Sequence, residues 1–280
     1  MRKAPLRFLT PVLILLLAVA IAGCGSGAGG RAGSSSPVTQ SAGAGTSSDS
    51  GQQFKFIVCG DPQNNYEQFG KILEAAKSVD FLIIAGDETG SGTPTEFSNF
   101  VNLMKNSGVT YYCVPGNHDV VTSPVSEAYT TYLGQPHRSF DYMNTHFVLI
   151  DNSSQKQGFY PQERDWVRDD LKASRKKGFE HTIAVCHVPP GYPYSASAGA
   201  AQVVGINANL QLVPLLSEGG VEELFCGHVH TYIEDKEDGM LVTITGGAGA
   251  PLLGAGNDAY YHYVLVEING KQRTQTRVRI

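Results

Sequence analysis

Apolar residues come in short continuous runs, separated by segments in which they recur every three or four positions. The runs predict buried strands, and the spaced segments predict helices that bury one face. Strands are predicted at 54–59, 81–85, 110–114, 147–150, 182–186 and 222–226, and helices at 66–79, 96–106 and 161–176. Strand–helix–strand units of this length are typical of parallel sheets, so the pattern predicts an α/β fold.

The pattern changes near the C-terminus. Apolar runs at 241–245, 261–268 and 274–280 follow one another without a helical segment between them. Such strands predict a second, mixed or antiparallel sheet.

The N-terminus has the pattern of an export signal. Positive residues precede an apolar run at 11–22, which Gly23 and Cys24 follow directly. This resembles a bacterial lipoprotein signal, with cleavage after 23 and a lipid on Cys24; a plain secretory signal and an uncleaved anchor are alternatives, and all three export the protein. The expected location is the outer face of a bacterial membrane, in the cell envelope.

The chain is expected to divide into three parts. Residues 1–23 form the signal peptide, and residues 24–53 form a lipidated cysteine followed by a tether rich in Gly, Ser, Ala and Thr. A segment of that composition cannot bury enough apolar area to fold and is expected to be flexible. Residues 54–280 form the folded domain.

Composition and charge narrow the function. The chain is 41% hydrophobic and 17% charged, an ordinary globular balance, and its formal net charge is −5. An acidic protein repels nucleic-acid phosphates at long range, which disfavours general nucleic-acid binding. A small phosphorylated substrate stays possible, because bound metal cations would dominate the local field.

Four further cysteines, Cys59, Cys113, Cys186 and Cys226, lie at the ends of predicted strands. In an exported protein they are compatible with disulfides. Their position directly before polar motifs favours the other interpretation, which is that they are small buried apolar side chains.

Five polar clusters each follow a predicted strand. They are Gly60-Asp61-Pro62-Gln63, Gly86-Asp87-Glu88, Gly116-Asn117-His118-Asp119, His187, and Gly227-His228-Val229-His230. Because ligands bind beyond the carboxyl ends of strands in open α/β sheets, these clusters are expected to meet. Asp, Asn and His together are suitable ligands for Mn, Fe or Zn.

The clusters, together with the stretch 246–251 and the segment 261–263, resemble the calcineurin-like metallophosphoesterase family over residues 54–280. The resemblance implies a four-layer α/β/β/α sandwich with two mixed β-sheets. It also implies an enzyme that hydrolyses a phosphate monoester or diester. The implied substrate is a phosphorylated small molecule or a phosphodiester.

The same resemblance assigns roles to single residues. Two divalent metal ions would generate a hydroxide that attacks phosphorus. The first ion would be held by Asp61, Gln63, Asp87 and His230, and the second by Asp87, Asn117, His187 and His228, so that Asp87 bridges. His118 would be the general acid, and Asp119 would accept a hydrogen bond from the other ring nitrogen of His118.

Two departures from the family pattern motivate an alternative. Gln63 stands where the family usually has His, and Gly90 where it usually has Asp, so the first metal site is predicted to be the weaker. The alternative is a degenerate surface protein that binds metal or phosphate without turnover. A Ser-His-Asp hydrolase is disfavoured, since the sequence has no Gly-x-Ser-x-Gly motif.

Substrate contacts are less defined. Tyr192 and Tyr194 follow His187 and could stack on an aromatic group of the substrate, or could be surface residues without a role. Arg138 and Lys156 are candidate phosphate contacts, with solvated surface charges as the simpler interpretation.

Overall fold

A computed structural model describes residues 52–120, 127–155, 158–159, 161–193, 203–254 and 259–280. The predicted signal peptide, Cys24 and nearly all of the tether lie outside the described residues, and so do Lys156 and Tyr194. Within these ranges, every helix is too short or too polar to cross a membrane.

The described residues form eleven strands and six helices. The strands are β1 (Gln53–Cys59), β2 (Phe81–Ile84), β3 (Tyr111–Cys113), β4 (Arg138–Tyr142), β5 (Thr145–Leu149), β6 (His181–Val185), β7 (Glu223–Cys226), β8 (Tyr232–Glu237), β9 (Met240–Thr245), β10 (His262–Asn269) and β11 (Gln272–Arg279). The helices are α1 (Tyr66–Ala76), α2 (Pro94–Ser107), α3 (Glu127–Leu133), α4 (Pro161–Lys177), α5 (Val203–Leu210) and α6 (Leu212–Gly219).

The strands form two mixed sheets. The first has the order β11-β10-β1-β2-β3, and the second has the order β4-β5-β6-β7-β9-β8. Strands β1, β2 and β3 are parallel to one another, and so are β5, β6, β7 and β9. The remaining strands add to the sheets in antiparallel orientation.

Three apolar cores hold the layers together. The central core lies between the sheets and contains Phe56 and Phe81 from the first sheet and Phe147 from the second. A second core packs the first sheet against α1 and α2, and a third packs the second sheet against α4 and α6. The result is the predicted four-layer α/β/β/α sandwich, so the fold prediction is confirmed.

Local sequence sets the ends of the helices. Thr93 and Glu96 form a capping box at the start of α2, Pro94 occupies its first turn, and Gly108 ends it in the left-handed conformation. Helix α4 begins at Pro161, as predicted.

The last three strands do not form a sheet of their own, so that part of the prediction is wrong. Strand β9 joins the second sheet parallel to β7, whereas β10 and β11 extend the first sheet beside β1. Along β10, buried residues alternate with partly exposed ones, and the buried residues Val264, Val266 and Ile268 belong to the core between the sheets. Elements α3, β4, α5, α6 and β8 were not predicted.

Candidate metal centre

The five polar clusters meet where parallel strands of both sheets end. Main-chain and side-chain hydrogen bonds join the clusters directly: Asp61 N donates to Gly86 O (3.0 Å), His118 N to Asp87 Oδ1 (2.9 Å), Gly227 N to His187 O (3.0 Å), and His228 N to Asp61 Oδ2 (2.8 Å). The predicted convergence of these loops is therefore present.

The backbone of these loops is strained. Among the described residues, seven other than glycine have positive φ, and five of them are Asp61, Gln63, Asn64, Asp87 and His228. Each such residue costs on the order of 1–2 kcal/mol and persists only where its surroundings fix it. The clustering of strain at predicted ligands indicates a functional site.

Two glycines let the loops approach closely. A Cβ atom at Gly116 would overlap the Asp87 carboxylate, and one at Gly227 would lie 2.6 Å from Asp61 Oδ2. Any side chain at either position would push an acidic side chain out of place, which explains glycine at both.

Asp61, Asp87 and His230 form one half of the site. One ligand atom from each lies within 4.8 Å of the others. Asp61 is fully buried, and its Oδ1 has no hydrogen-bond partner in the described part of the chain, although His230 Nε2 lies 3.3 Å away. Two buried carboxylates with an unsatisfied acceptor are costly without a cation, so this donor set fits a divalent metal ion.

The pKa values of the two acids differ. Burial raises the pKa of Asp61, but the adjacent His230 and the nearby His187 outweigh it, and the pKa falls below its ordinary value. Burial and the charge of Asp61 raise the pKa of Asp87 to about 6, against the opposing effect of His187. A bound cation would favour the charged form of both.

Asn117, His187 and His228 form the other half. Asn117 Oδ1 lies 3.0 Å from His187 Nε2 and 2.8 Å from His228 Nδ1. Burial, with a smaller effect of His187, lowers the pKa of His228 to about 4. His228 is thus held in the neutral form that binds metals.

Asp87 lies between the halves. Its Oδ1 is 3.3 Å from His187 Nε2, and its Oδ2 accepts a hydrogen bond from Gln63 Nε2 at 2.9 Å. This position is compatible with the predicted bridging role.

Backbone carbonyls orient all four site histidines. Carbonyl oxygens only accept, so each bonded ring nitrogen carries the proton and the other nitrogen of the neutral ring keeps its lone pair. The bonds are His187 Nδ1 to Ala85 O (2.8 Å), His228 Nε2 to Pro193 O (2.8 Å), His230 Nδ1 to Pro251 O (2.8 Å) and His118 Nδ1 to Gly90 O (2.9 Å). The second ring nitrogens of His187, His228 and His230 lie next to the oxygens of Asp87, Asn117 and Asp61.

The predicted contact between Asp119 and His118 is wrong, because Gly90 O takes that place. The Asp119 carboxylate instead accepts hydrogen bonds from Gly116 N (2.8 Å), Glu88 N (3.2 Å), Thr89 N (2.9 Å) and Thr89 Oγ1 (2.7 Å). These four hydrogen bonds satisfy the Asp119 carboxylate. Through them, Asp119 connects the loop that carries Asn117 and His118 to the loop that carries Asp87.

Gln63 reaches the first half of the site. Its Nε2 lies 2.9 Å from Asp87 Oδ2 and 3.4 Å from His230 Nε2. Ligation through Oε1 would need the amide turned by 180°, a rotation that leaves the shape of the side chain unchanged.

A carboxylate from α2 lies beside Gly90. A Cβ atom at Gly90 would lie 3.5 Å from Glu96 Oε1 and 3.1 Å from Asn64 Nδ2. Glu96 Oε1 accepts a hydrogen bond from Asn64 Nδ2 at 2.6 Å. Glu96 thus supplies an acidic group close to the position where the family usually has Asp.

Asn152 was missed in the sequence. It is fully buried, and its Oδ1 accepts hydrogen bonds from His187 N (3.1 Å) and Val188 N (3.0 Å), while its Nδ2 donates to Val188 O (2.7 Å). It therefore fixes the backbone that carries His187. The polar run 151–154, directly after a predicted strand, was the available signal.

The remaining candidates have structural contacts. Tyr192 packs against the core of the second sheet. Arg138 stacks on Tyr112, with 5.9 Å between guanidinium and ring centroid, and lies near Cys113 O. The four described cysteines are buried and form no disulfide, which agrees with the interpretation that they are small apolar side chains. Cys186 Sγ and Cys226 Sγ are nevertheless 3.6 Å apart.

The fold and donor set define a class, the α/β/β/α metal-dependent phosphatases. Residues 54–232 match the model of the calcineurin-like phosphoesterase family, which is more than half of the chain. The protein therefore belongs to the calcineurin-like phosphoesterases, a metal-dependent family.

Two relatives are similar to part of this chain at low sequence identity. A 3′,5′-cyclic-nucleotide phosphodiesterase of Nostoc sp. (strain PCC 7120) is 26% identical over 124 residues, covering 43% of this chain and 45% of the relative. Purple acid phosphatase 18 of Arabidopsis thaliana is 22% identical over 175 residues, covering 62% of this chain and 35% of the relative. The matched segment thus spans less than half of each relative. Together with the family, they support metal-dependent hydrolysis of phosphate esters.

Solved structures share the fold. Purple acid phosphatase PPD1 from yellow lupin (Lupinus luteus) superposes with a TM-score of 0.61 at 15% identity, covering 81% of this chain and 52% of that one. GAP50, the anchor in the inner membrane complex of Plasmodium, has a TM-score of 0.56 at 16% identity, covering 81% and 84%. At these identities the similarity shows the fold alone.

Proposed function

We propose that the protein hydrolyses phosphate monoesters or diesters at two divalent metal ions, with His118 as general acid. The observation that supports this most strongly is the arrangement around Asp87. Asp61 and His230 offer ligand atoms on one side of it, and His187, with Asn117 and His228, lies on the other.

The residues that would hold the ions follow from this arrangement. Asp61, Gln63 and His230 would hold one ion, Asn117, His187 and His228 the other, and Asp87 both. Mn, Fe or Zn ions at these positions would neutralise charge on the phosphate and provide hydroxide near neutral pH. Orientation of three histidines by backbone carbonyls keeps their lone pairs directed into the site.

His118 is placed to move a proton. Its backbone nitrogen is fixed on Asp87 Oδ1 and its Nδ1 on Gly90 O, so the ring has a defined orientation relative to the metal ligands. Its side chain is only partly buried, and Nε2 is the nitrogen left for a substrate. In the protonated form, Nε2 can donate to the departing alkoxide or phenoxide.

A second candidate is a surface protein that binds metal or phosphate without turnover. Gln63 and Gly90 favour it, since both depart from the usual family residues. The preserved His118 favours hydrolysis, because a binding protein has no need of an oriented general acid.

The test is an assay of metal-free protein reloaded with Mn, Fe or Zn, using phosphate monoesters, linear diesters and a cyclic nucleotide. We expect metal-dependent turnover that falls about 10²–10⁴-fold in His118→Ala while the metal content stays unchanged. His137→Ala, a partly exposed histidine outside the site, is the control and should keep full activity. Metal binding without turnover of any ester would establish the second candidate.

We also propose, from the N-terminal pattern alone, that a lipid on Cys24 anchors the protein to the outer face of a bacterial membrane. Radiolabelled fatty acid should be incorporated into the wild-type chain and not into Cys24→Ser. Labelling of both, or of neither, would contradict the proposal.

A further inference from the structure

Two arginines near the C-terminus stack on tyrosines. The Arg277 guanidinium lies 4.6 Å from the ring centroid of Tyr232 and 5.0 Å from that of Tyr260. The Arg279 guanidinium lies 4.9 Å from the Tyr260 centroid. Each contact is within the range of a cation–π interaction. These four residues are called the arginine–tyrosine patch.

Neither arginine of the patch has an acidic partner among the described residues, although the chain as a whole is acidic. Arg273, on the same face of β11, forms a salt bridge with Glu223. Gln275, which lies between Arg273 and Arg277 on that face, donates a hydrogen bond to Glu234 (2.6 Å). Glu223 and Glu234 therefore have partners other than the two arginines of the patch. A guanidinium that stacks through its face keeps its N–H groups free at the edge, where they can bind a phosphate with two parallel hydrogen bonds.

The patch lies at the same edge of the sandwich as the metal centre. Arg279 pairs with His262 at the start of β10, and Val264 pairs with both Arg277 and Val58, close to the end of β1. The chain continues from the end of β1 to Asp61, and Tyr232 follows His230 by two residues. Tyr260, Arg277 and Arg279 lie beyond the residues matched by the family model, and Tyr232, at the start of β8, is the last residue of that match.

We propose that the arginine–tyrosine patch binds a phosphate group other than the one that is hydrolysed. The group is carried by a second phosphate of a soluble substrate or by a phospholipid headgroup. This inference goes beyond the proposed hydrolysis and does not depend on it, because two fixed guanidinium forks bind phosphate without a metal ion.

The first test is calorimetric titration of the metal-free, full-length protein with inorganic phosphate. The double variant Arg277→Gln/Arg279→Gln should bind at least about tenfold more weakly, since each charge-assisted hydrogen bond contributes on that order. Lys271→Gln removes an exposed charge near the opposite end of the same hairpin and should change binding less than twofold. Equal binding by the double variant and the wild type would overturn the proposal, whatever the catalytic result.

A second variant separates recognition from net charge. Arg277→Lys/Arg279→Lys keeps both charges and loses the planar fork, so phosphate binding should weaken severalfold with the fold retained. Wild-type affinity in this variant would overturn the proposal, because it would reduce the patch to a diffuse positive charge.

Two further measurements identify the source of the phosphate. In one, KM is compared for a monophosphate and a bisphosphate substrate; a rise only for the bisphosphate in Arg277→Gln/Arg279→Gln indicates a soluble substrate. In the other, co-sedimentation is measured with vesicles of equal parts phosphatidylcholine and phosphatidylglycerol; a loss in the same variant indicates a lipid. If neither changes, the patch has no such ligand and the proposal is wrong.

Discussion

The two halves of the metal centre are built differently. The half with Asp61, Gln63 and His230 contains a full negative charge and an acceptor, Asp61 Oδ1, without a hydrogen bond in the described structure. The half with Asn117, His187 and His228 contains no acidic residue, and His187 is completely buried. The Asp87 side chain contacts side-chain ligands of both halves, through Gln63 and His187.

The difference indicates how each half would bind metal. The first half attracts a cation by charge, but its amide ligand, Gln63, must turn to offer oxygen. The second half depends on geometry, because Asn152 and the Ala85 carbonyl fix the His187 loop and ring. We therefore expect metal affinity in the second half to depend on the residues that hold its ligands in place. Metal affinity in the first half should depend on the chemical nature of the ligands themselves.

The largest effect is expected from Asp87→Asn, which removes the charge shared by both halves. Metal affinity should fall in both, and kcat/KM should fall by more than about 100-fold, the upper end for residues that only support a ligand. Metal per protein, measured by titration of metal-free protein, is the readout. Asp61→Asn is the matched control and should lower metal affinity at only one of the two sites. If Asp87→Asn kept wild-type metal affinity at either site, the bridging role would be ruled out.

Asn152→Ala should weaken the second half alone. Loss of three hydrogen bonds to residues 187 and 188 frees the backbone behind a ligand, and metal affinity should fall about 10–100-fold there. Asn144→Ala is the control, because Asn144 Nδ2 donates to Gly270 O (2.8 Å) at the opposite edge of the sheet.

Asn152→Ala should lose about 1–3 kcal/mol of stability, since it leaves buried backbone groups unsatisfied. Asn144→Ala should lose about 1 kcal/mol, since it removes one partly buried hydrogen bond to Gly270 O, to which His181 Nε2 also donates (2.9 Å). Only Asn152→Ala should change the metal titration. If Asn144→Ala changed it equally, the effect would be one of general stability, and the positioning role of Asn152 would be excluded.

Strands β1 and β2 were predictable because most of their residues are buried. From Phe56 to the end of β1, and along all of β2, the residues are apolar on both faces, because helices cover one side of the sheet and a second sheet covers the other. Strand β8 is polar and mostly exposed, and it exists through pairing with β9, a contact that depends on the fold. For the same reason, the sequence could not show that β10 would pair with β1, whose residues lie far away in the chain.

The convergence of candidate ligands was predictable where a polar motif follows a strand. Asp61, Asp87, Asn117, His187, His228 and His230, which the structure brings together, were all predicted as ligands on such motifs, and their role as metal ligands stays a prediction. The partners that orient them are mostly backbone carbonyls, such as Gly90 O and Pro251 O, which have no sequence signature. Asp119 was assigned to His118 on resemblance, and the structure shows that three backbone amides and one hydroxyl occupy its carboxylate instead.

Gln63→His tests the predicted weakness of the first half directly. Wild-type protein should take up metal in two unequal steps, with the weaker one in the first half. An imidazole in place of the amide should raise the metal affinity of the first half by roughly tenfold, at the low end of the effects of residues around metal sites. The two steps of metal uptake should then occur at similar metal concentrations. Two equally tight steps in the wild type would refute the asymmetry.

The smallest effect is expected from Glu96→Gln, which alters support for the first half without touching a ligand. Burial raises the pKa of Glu96, but hydrogen bonds from Thr93 and Asn64 outweigh it and hold the pKa below its ordinary value of 4.5. A carboxylate with a lowered pKa stabilises the fold above its unfolded-state value and loses that contribution as the pH falls through the folded-state value.

The free energy of unfolding of metal-free wild type should therefore exceed that of Glu96→Gln by about 0.5–1 kcal/mol at neutral pH, the size of a helix-cap contribution. The difference should shrink as the pH falls below the ordinary value of 4.5 and disappear below the lowered folded-state pKa, where the carboxylate is neutral in both states. Because Asn64 follows Gln63 and donates to Glu96, first-half metal affinity should fall slightly while the second half stays unchanged. A stability difference that persists in acid would mean that Glu96 acts through packing, and the carboxylate beside Gly90 would then not take over the role of the missing Asp.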